Sequence, residues 1–176
     1  VTFTRDSEED FFWPGIHFRN SSDDNESYLD NCIIEHANNG VYAYHSNPRI
    51  VNNVFRNNVD GVETDANAIP LIANNTFIEN TRPVSYYSHR VDSTLYGNTY
   101  IDNEKNYIEL VGTNEYWSHG TQYWANDGAP YRVTQDIAVR VNNNNNLLAI
   151  LSVLPGTIVE FNEGSEFDIG SSSGSN

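Results

Sequence analysis

Carboxylate and guanidinium groups capable of acid–base chemistry lie in one part of the chain. Glu63 and Asp65 belong to the stretch DGVETD, and Arg82 and Arg90 follow further along. Glycoside hydrolysis uses paired carboxylates whose separation sets the stereochemistry, and a positioned basic group can abstract a proton. These four residues are therefore the catalytic candidates.

Aromatic residues concentrate in two segments, YYSHR and NEYWSHGTQYW. Aromatic faces stack on pyranose rings while their polar edges form hydrogen bonds. The candidates for carbohydrate binding are Tyr86, Tyr87, Trp117 and Trp124. The alternative interpretation is that the tryptophans pack at a junction between sets of strands.

Acidic residues concentrate in the segments DSEED and SSDDNES, which flank the expected strand GIHF. Because Ca²⁺ prefers carboxylate and carbonyl oxygens, both segments could hold this ion. The candidate ligands are Asp6, Glu8, Asp10, Asp23 and Asp24. Neither segment has EF-hand spacing, so a solvated acidic loop is the alternative. The histidines share no metal-ligand spacing, and we expect no cofactor other than Ca²⁺.

One motif recurs four times with steps of 21 to 23 residues, beginning at Ser27, Pro48, Pro70 and Asp92. Asparagine occupies two positions of this motif. The first column contains Asn31, Asn53, Asn75 and Asn98, and the second contains Asn58, Asn80 and Asn103, with His36 in the first repeat. A fixed internal period of this length predicts a repeat architecture.

The spacing within each repeat predicts short strands joined by corners. Ile50 and Phe55 are five residues apart, so both can face one core only if the chain bends between them. Asn53 lies at that bend, and Asn tolerates turn conformations well. Stacking would place Glu63 beside Ser85 or Tyr86, and it brings no second carboxylate from the neighbouring coil. The repeat therefore predicts a parallel β-helix that climbs about 4.8 Å per turn.

The pattern P-x-I-x-N-N-x-F-x-x-N-x-x-x-G-V resembles the right-handed β-helix repeat of the pectate-lyase-like superfamily, over residues 13 to 112. The resemblance implies an all-β, single-stranded right-handed parallel β-helix with roughly eight coils and little or no helix. It also implies that the asparagine columns form hydrogen-bonded ladders. Enzymes, adhesins and plain spacers all occur on this fold, so it does not decide activity.

Four segments are expected along the chain. Residues 1–112 form the ladder-containing coils, residues 113–131 form an aromatic-rich junction, residues 132–170 add further strands, and residues 171–176 form a flexible tail. The segment from Tyr123 to Gly170 resembles the opening coils of bacterial and archaeal β-helix surface modules. This order is typical of a piece of a longer array.

The chain has 176 residues and a net charge of −15, which disfavours nucleic acid and anionic membranes as partners. No stretch is apolar enough for a membrane span, so we expect no membrane insertion. The hypothesis is a non-catalytic, extracellular or cell-surface structural module in a rod or filament, with adhesion as one role. Its partners would be neighbouring modules or copies of itself, and surface polysaccharide. The alternative is a carbohydrate-active enzyme, of lyase or hydrolase type, or a carbohydrate-binding module.

Overall fold

The computed structural model describes residues 1–6, 11–88, 91, 94–112, 116–117, 120–139 and 149–170. Its strands are, in chain order, β1 (Thr2–Phe3), β2 (Trp13–Phe18), β3 (Tyr28–Asp30), β4 (Ile33–Glu35), β5 (Ala37–Ala43), β6 (Arg49–Val51), β7 (Val54–Arg56), β8 (Asp60–Thr64), β9 (Leu71–Ala73), β10 (Thr76–Ile78), β11 (Arg82–Tyr87), β12 (Leu95–Tyr96), β13 (Thr99–Ile101), β14 (Ile108–Val111), β15 (Tyr116–Trp117), β16 (Gly120–Trp124), β17 (Tyr131–Val133), β18 (Ile137–Val139), β19 (Ala149–Val153), β20 (Val159–Phe161) and β21 (Phe167–Ile169).

Successive turns of the chain pair in parallel and build the faces of a solenoid. The largest sheet has seven strands in the order β2-β5-β8-β11-β14-β17-β20. Two other faces have the orders β1-β4-β7-β10-β13 and β12-β9-β6-β3, and smaller sheets join β15-β18-β21 and β16-β19. The described residues contain no α-helix, and therefore no helix among them is long and apolar enough to cross a membrane. The predicted fold class, an all-β parallel solenoid, is confirmed.

The solenoid has about five turns, where the sequence predicted roughly eight. The turns also lengthen along the chain. Residues in equivalent positions are 21 to 23 apart in the first turns. They are 29 apart between Asn98 and Asp127, and 28 apart between Arg132 and Glu160.

The core is a set of columns that run along the solenoid axis. Val41, Val62, Val84 and Ile108 pair in register and are fully buried. A second column stacks the rings of Phe55, Phe77 and Tyr100, with centroids 5.1 and 5.4 Å apart. Each turn thus buries its apolar side chains against the turns before and after it, as expected for repeat proteins.

Two asparagine ladders run beside this core. In the first, the Asn75 side-chain oxygen accepts both the backbone N–H and the amide of Asn53, at 2.9 and 3.1 Å. The Asn98 side-chain oxygen accepts the same two hydrogen bonds from Asn75. The second ladder joins Asn58, Asn80 and Asn103 in the same way. Each ladder amide also donates to a backbone carbonyl of the preceding turn. The Asn53 amide, for example, donates to the Leu29 carbonyl.

Asn31 is not part of the first ladder, so the prediction for this residue is wrong. Cys32 occupies the ladder position and donates its backbone N–H to the Asn53 side-chain oxygen at 2.9 Å. Asn31 is exposed and has φ +52°, a left-handed conformation. It belongs to a column of corner residues that share this conformation and precede the ladder, namely Asn31, Asn52 and Asn74. His36 takes the equivalent position at the second corner, with φ +57°.

Candidate functional site

The register of the seven-stranded sheet brings several charged side chains together on its outer face. Glu63 of β8 pairs with Ser85 of β11, and Ser85 pairs with Glu109 of β14. Asp60 pairs with Arg82 on the same face. We call the five residues Asp60, Glu63, Arg82, Ser85 and Glu109 the outer-face cluster. Three carboxylates and one guanidinium group give it an excess of negative charge.

Arg82 forms the ionic centre of the outer-face cluster. Its Nη2 donates to Asp60 Oδ2 at 2.7 Å, its Nε donates to Asp60 Oδ1, and its Nη1 donates to Glu109 Oε2 at 2.6 Å. Hydrogen bonding to Asp60 is the main reason that the pKa of Arg82 is raised further above its ordinary value. A guanidinium held in this way stays protonated, so it is unsuited to the role of a proton-abstracting base.

Glu63 is half-buried beside Arg82 and is oriented by an amide. Asn39 Nδ2 of β5 donates a hydrogen bond to Glu63 Oε2. Burial raises the pKa of Glu63, and the negative charges of Asp60 and Glu109 raise it further. The ionised form of this carboxylate is therefore disfavoured in the folded protein.

The structure separates the predicted catalytic residues. Glu63 and Arg82 lie on the same face, as the repeat indicates. Asp65 lies at the corner after β8, where its Oδ2 is 2.5 Å from His45 Nδ1. Asp65 Oδ1 also accepts the backbone N–H of His45 at 3.0 Å. Arg90 lies outside the described residues. Only part of the predicted constellation is therefore brought together.

Sequence reasoning missed two members of this region, Glu109 and Asn39. The repeat predicts no second carboxylate on the coil next to Glu63, whereas Glu109 lies two strands away across Ser85. Arg82 bridges that distance by bonding both Asp60 and Glu109. An alignment that places Ile108 in the column of Val84 would have predicted that Glu109 lies beside Ser85.

Two of the four predicted sugar-stacking residues are inaccessible. Tyr86 is 0% exposed and Trp124 is 1% exposed, so the prediction is wrong for both, because their ring faces are covered by protein. Trp124 instead stacks on Tyr131 at 5.8 Å, in agreement with the alternative of junction packing. Tyr87 is half-buried. Trp117 belongs to β15, and its side chain lies outside the described part of the chain.

The acidic loop that contains Asp23 and Asp24 uses these carboxylates for local hydrogen bonds. Asp24 accepts the backbone N–H and the side-chain amide of Asn47, at 2.7 and 2.9 Å. Asp23 accepts the backbone N–H of Asn25 at 2.8 Å. Asp6 is exposed, and the predicted ligands Glu8 and Asp10 lie outside the described residues. Within the described ranges, no three His, Cys, Asp or Glu side chains are grouped so that they could hold a metal ion.

The fold and this face define a parallel β-helix protein with a charged cluster on its largest sheet. Residues 6–132 match the family model described as "Periplasmic copper-binding protein (NosD)". This match covers more than half of the chain, and the chain belongs to the NosD family. The periplasmic description agrees, at a coarse level, with the predicted location outside the cytoplasm. No curated protein and no solved structure matches the chain.

The described residues do not fit a copper centre. Copper in proteins prefers thiolate, thioether and imidazole ligands. The chain has no Met and a single Cys. The Cys32 thiol is buried and donates to the Asp30 carbonyl at 3.2 Å. Both ring nitrogens of His45 are engaged, one by Asp65 and the other by Asn67 at 3.0 Å. We therefore derive no copper chemistry for this part of the chain.

Proposed function

We propose that the chain is a non-catalytic structural module outside the cytoplasm, a β-helix unit that stacks end to end with further β-helix turns. The observation that carries this proposal is the exposure of inward-facing apolar side chains at one end of the solenoid. Membership of a family described as periplasmic supports the location. The engaged state of Arg82 and the separation of Asp65 from the outer-face cluster argue against catalysis.

The exposure follows from a comparison of two successive turns. Phe161, Phe167 and Ile169 pair in register with Val133, Ile137 and Val139 of the preceding turn. The preceding three are 0%, 2% and 6% exposed, whereas their partners are 44%, 38% and 77% exposed. Paired residues in parallel strands point to the same side, so these three exposed side chains continue the buried columns of the core.

A further turn would stabilise this end in two ways. Full burial of each such side chain contributes about 1.5–3 kcal/mol. The strands β20 and β21 are also edge strands of their sheets, and the backbone groups of an edge strand can pair with another strand. In a solution of the isolated chain, the partner that supplies this turn is a second copy.

The test is a measurement of self-association. Sedimentation velocity over a hundredfold concentration range should show oligomers, and negative-stain images should show rods longer than one copy. The double variant Phe161→Lys/Ile169→Lys should be monomeric because it places charge on the stacking end. Tyr44→Lys is the control, since Tyr44 is about as exposed as Phe161 but lies on the side of the solenoid. Strictly monomeric wild-type protein at every concentration would refute stacking between copies.

Carbohydrate binding is the second candidate, and one observation favours it. Tyr42 and Tyr44 have ring centroids 6.3 Å apart, and Tyr44 contacts the His45 ring at 4.3 Å. This partly exposed aromatic row lies beside Glu63 and Asp65, and aromatic faces next to carboxylates suit sugars. Titration calorimetry with acidic and neutral polysaccharides tests it. Binding that is lost in Tyr44→Ala supports this role, and no heat with any polysaccharide refutes it.

A further inference from the structure

The seven-stranded sheet has two outer strands, one at each end of the solenoid. Its order begins with β2 and finishes with β20, and among the described residues each of these two strands pairs on one side only. The backbone groups of such an edge can pair with a further strand. The strand β2 therefore offers a second edge, opposite to the apolar end that carries the proposed stacking.

One inward column and one outward row of side chains cross the whole sheet from β2 to β20. The inward column consists of Ile16, Val41, Val62, Val84, Ile108, Tyr131 and Val159. The outward row beside it consists of His17, Tyr42, Glu63, Ser85, Glu109, Arg132 and Glu160. Because the same correspondence relates each strand to the next, it also defines how a further strand would lie on either edge.

The two edges complement each other when β2 of one copy is placed on β20 of another. Continuing the register gives three pairs across the junction, namely Ile16 with Val159, His17 with Glu160, and Phe18 with Phe161. Phe161 is 44% exposed and Phe18 is half-buried, whereas Val133 and Ala43, with which they pair inside the chain, are 0% exposed. Apolar side chains that are incompletely buried at both edges would thus cover each other.

The outward pair at this junction also matches in its chemistry. Arg132 directs both of its hydrogen bonds with Glu160 to Oε2, so Oε1 can accept another. His17 is exposed, and an imidazole carries an N–H donor in either protonation state. A two-fold contact centred on two copies of β20 would instead be antiparallel and would place Glu160 opposite Glu160, where like charges repel. The charges therefore favour a junction between unlike ends.

We propose that copies of this chain stack head to tail, with β2 of one copy pairing in parallel with β20 of the next, so that the seven-stranded sheet continues across the junction. This inference rests on the proposed stacking and identifies the surface that receives the apolar end. Each copy then follows the previous one as each turn follows the turn before it. Because such a contact joins unlike surfaces and does not close, it generates a filament and not a dimer.

Cysteine cross-linking tests this register directly. Glu160→Cys and His17→Cys are purified separately, mixed, and treated with a bismaleimide that spans about 8 Å, which is less than two strand spacings. The mixture should give a cross-linked dimer, whereas each variant alone should give none, because a head-to-tail junction brings Glu160 only to His17. The native Cys32 is buried, so the wild-type protein should give no cross-linked product.

Arg56 supplies the matched control for cross-linking. It is exposed on β7, a middle strand of another sheet, so Arg56→Cys mixed with Glu160→Cys should give no dimer. His17→Glu places a second carboxylate beside Glu160 and should weaken self-association in sedimentation by about tenfold or more. Arg56→Gln changes the net charge by the same amount and should associate as the wild type does. Circular dichroism should show the wild-type fold for each variant.

The possible results separate this inference from the stacking on which it rests. Oligomers in which Glu160→Cys copies cross-link to one another would overturn the head-to-tail arrangement and leave stacking in place. Oligomers in which the mixture of Glu160→Cys and His17→Cys gives no cross-link would overturn the register in the same way. Wild-type protein that is monomeric at every concentration would refute both the stacking and the head-to-tail junction.

Discussion

Replacement of Asn75 by Ala tests whether the asparagine ladder stabilises the solenoid. Asn75 Oδ1 accepts two hydrogen bonds from Asn53, and Asn75 Nδ2 donates to the Ile50 carbonyl at 2.9 Å and to Asn98 Oδ1 at 3.1 Å. The backbone N–H of Asn75 still donates to Asn98 in the variant. Three buried groups lose a partner: the Asn53 N–H, one amide hydrogen of Asn53 and the Ile50 carbonyl.

The magnitude follows from the cost of leaving buried polar groups unpaired. Each such group costs about 1–3 kcal/mol. Entry of a water molecule into the space left by the amide would recover part of this, so we expect a loss of about 3–5 kcal/mol in the free energy of unfolding. This loss is a large part of the free energy of unfolding of a typical domain, which is about 5–15 kcal/mol.

Urea unfolding followed by circular dichroism measures this loss. The control is Asn38→Ala, which removes the same amide from an exposed position of β5 and should change the free energy by no more than about 0.5 kcal/mol. A solenoid can unfold in parts, so the m-value must be compared as well as the midpoint. A loss below about 1 kcal/mol for Asn75→Ala, with an unchanged m-value, would refute the role assigned to the ladder.

Three further predictions concern the same coils, each measured by urea unfolding. Gly61→Ala should destabilise by at least about 1–3 kcal/mol, because a Cβ atom there would lie 2.7 Å from the Phe77 ring; unchanged stability would contradict the tight packing. Asp127→Asn should cost about 1–3 kcal/mol, because both carboxylate oxygens accept hydrogen bonds and Asn offers only one acceptor; the exposed control Asp102→Asn should be neutral. Glu63→Gln, in EDTA, should be more stable than the wild type at pH 7, because the raised pKa means that ionised Glu63 opposes folding. This advantage should vanish as the pH falls through the raised pKa toward the ordinary value of 4.5, where the wild-type group is neutral; a difference independent of pH would exclude this cause.

The fold could be predicted because one pattern is repeated and each copy supports the others. Apolar columns and paired asparagines fix both the strands and the corners, so tertiary structure follows from local spacing. The first repeat was misaligned by one residue, since its step is 21 where the next is 22. Cys32 can replace Asn in that ladder position because only its backbone N–H is used there. A side chain that contributes no hydrogen bond to the ladder gives no sequence signal.

The paired asparagines also divide two tasks that the sequence alone merges. Asn52 adopts the left-handed conformation at the corner, with φ +56°, and Asn53 supplies the ladder amide. The same division holds for Asn57 and Asn58. Asn suits the first task because it tolerates positive φ, and the second because one amide both donates and accepts. The outer-face cluster was harder to predict, because its members lie on three strands and none has a distinctive spacing.

The polarity of the ladders indicates where the regular solenoid ends. Every ladder asparagine donates toward the next turn, so the last one requires an acceptor that needs no further partner. Asp127 provides this for the first ladder, since its carboxylate accepts from Asn98 and Tyr100 and has no hydrogen to donate. The second ladder ends where Asn103 Nδ2 donates to Asn106 Oδ1, three residues further along the chain, at 3.2 Å. Both ladders therefore stop after the same turn, where the step lengthens to 29 residues. Beyond it, apolar packing such as that of Trp124 on Tyr131 replaces the ladders. Phe161, Phe167 and Ile169, which continue the apolar columns into the turn of β20 and β21, are exposed, and this exposure is the basis of the stacking that we propose.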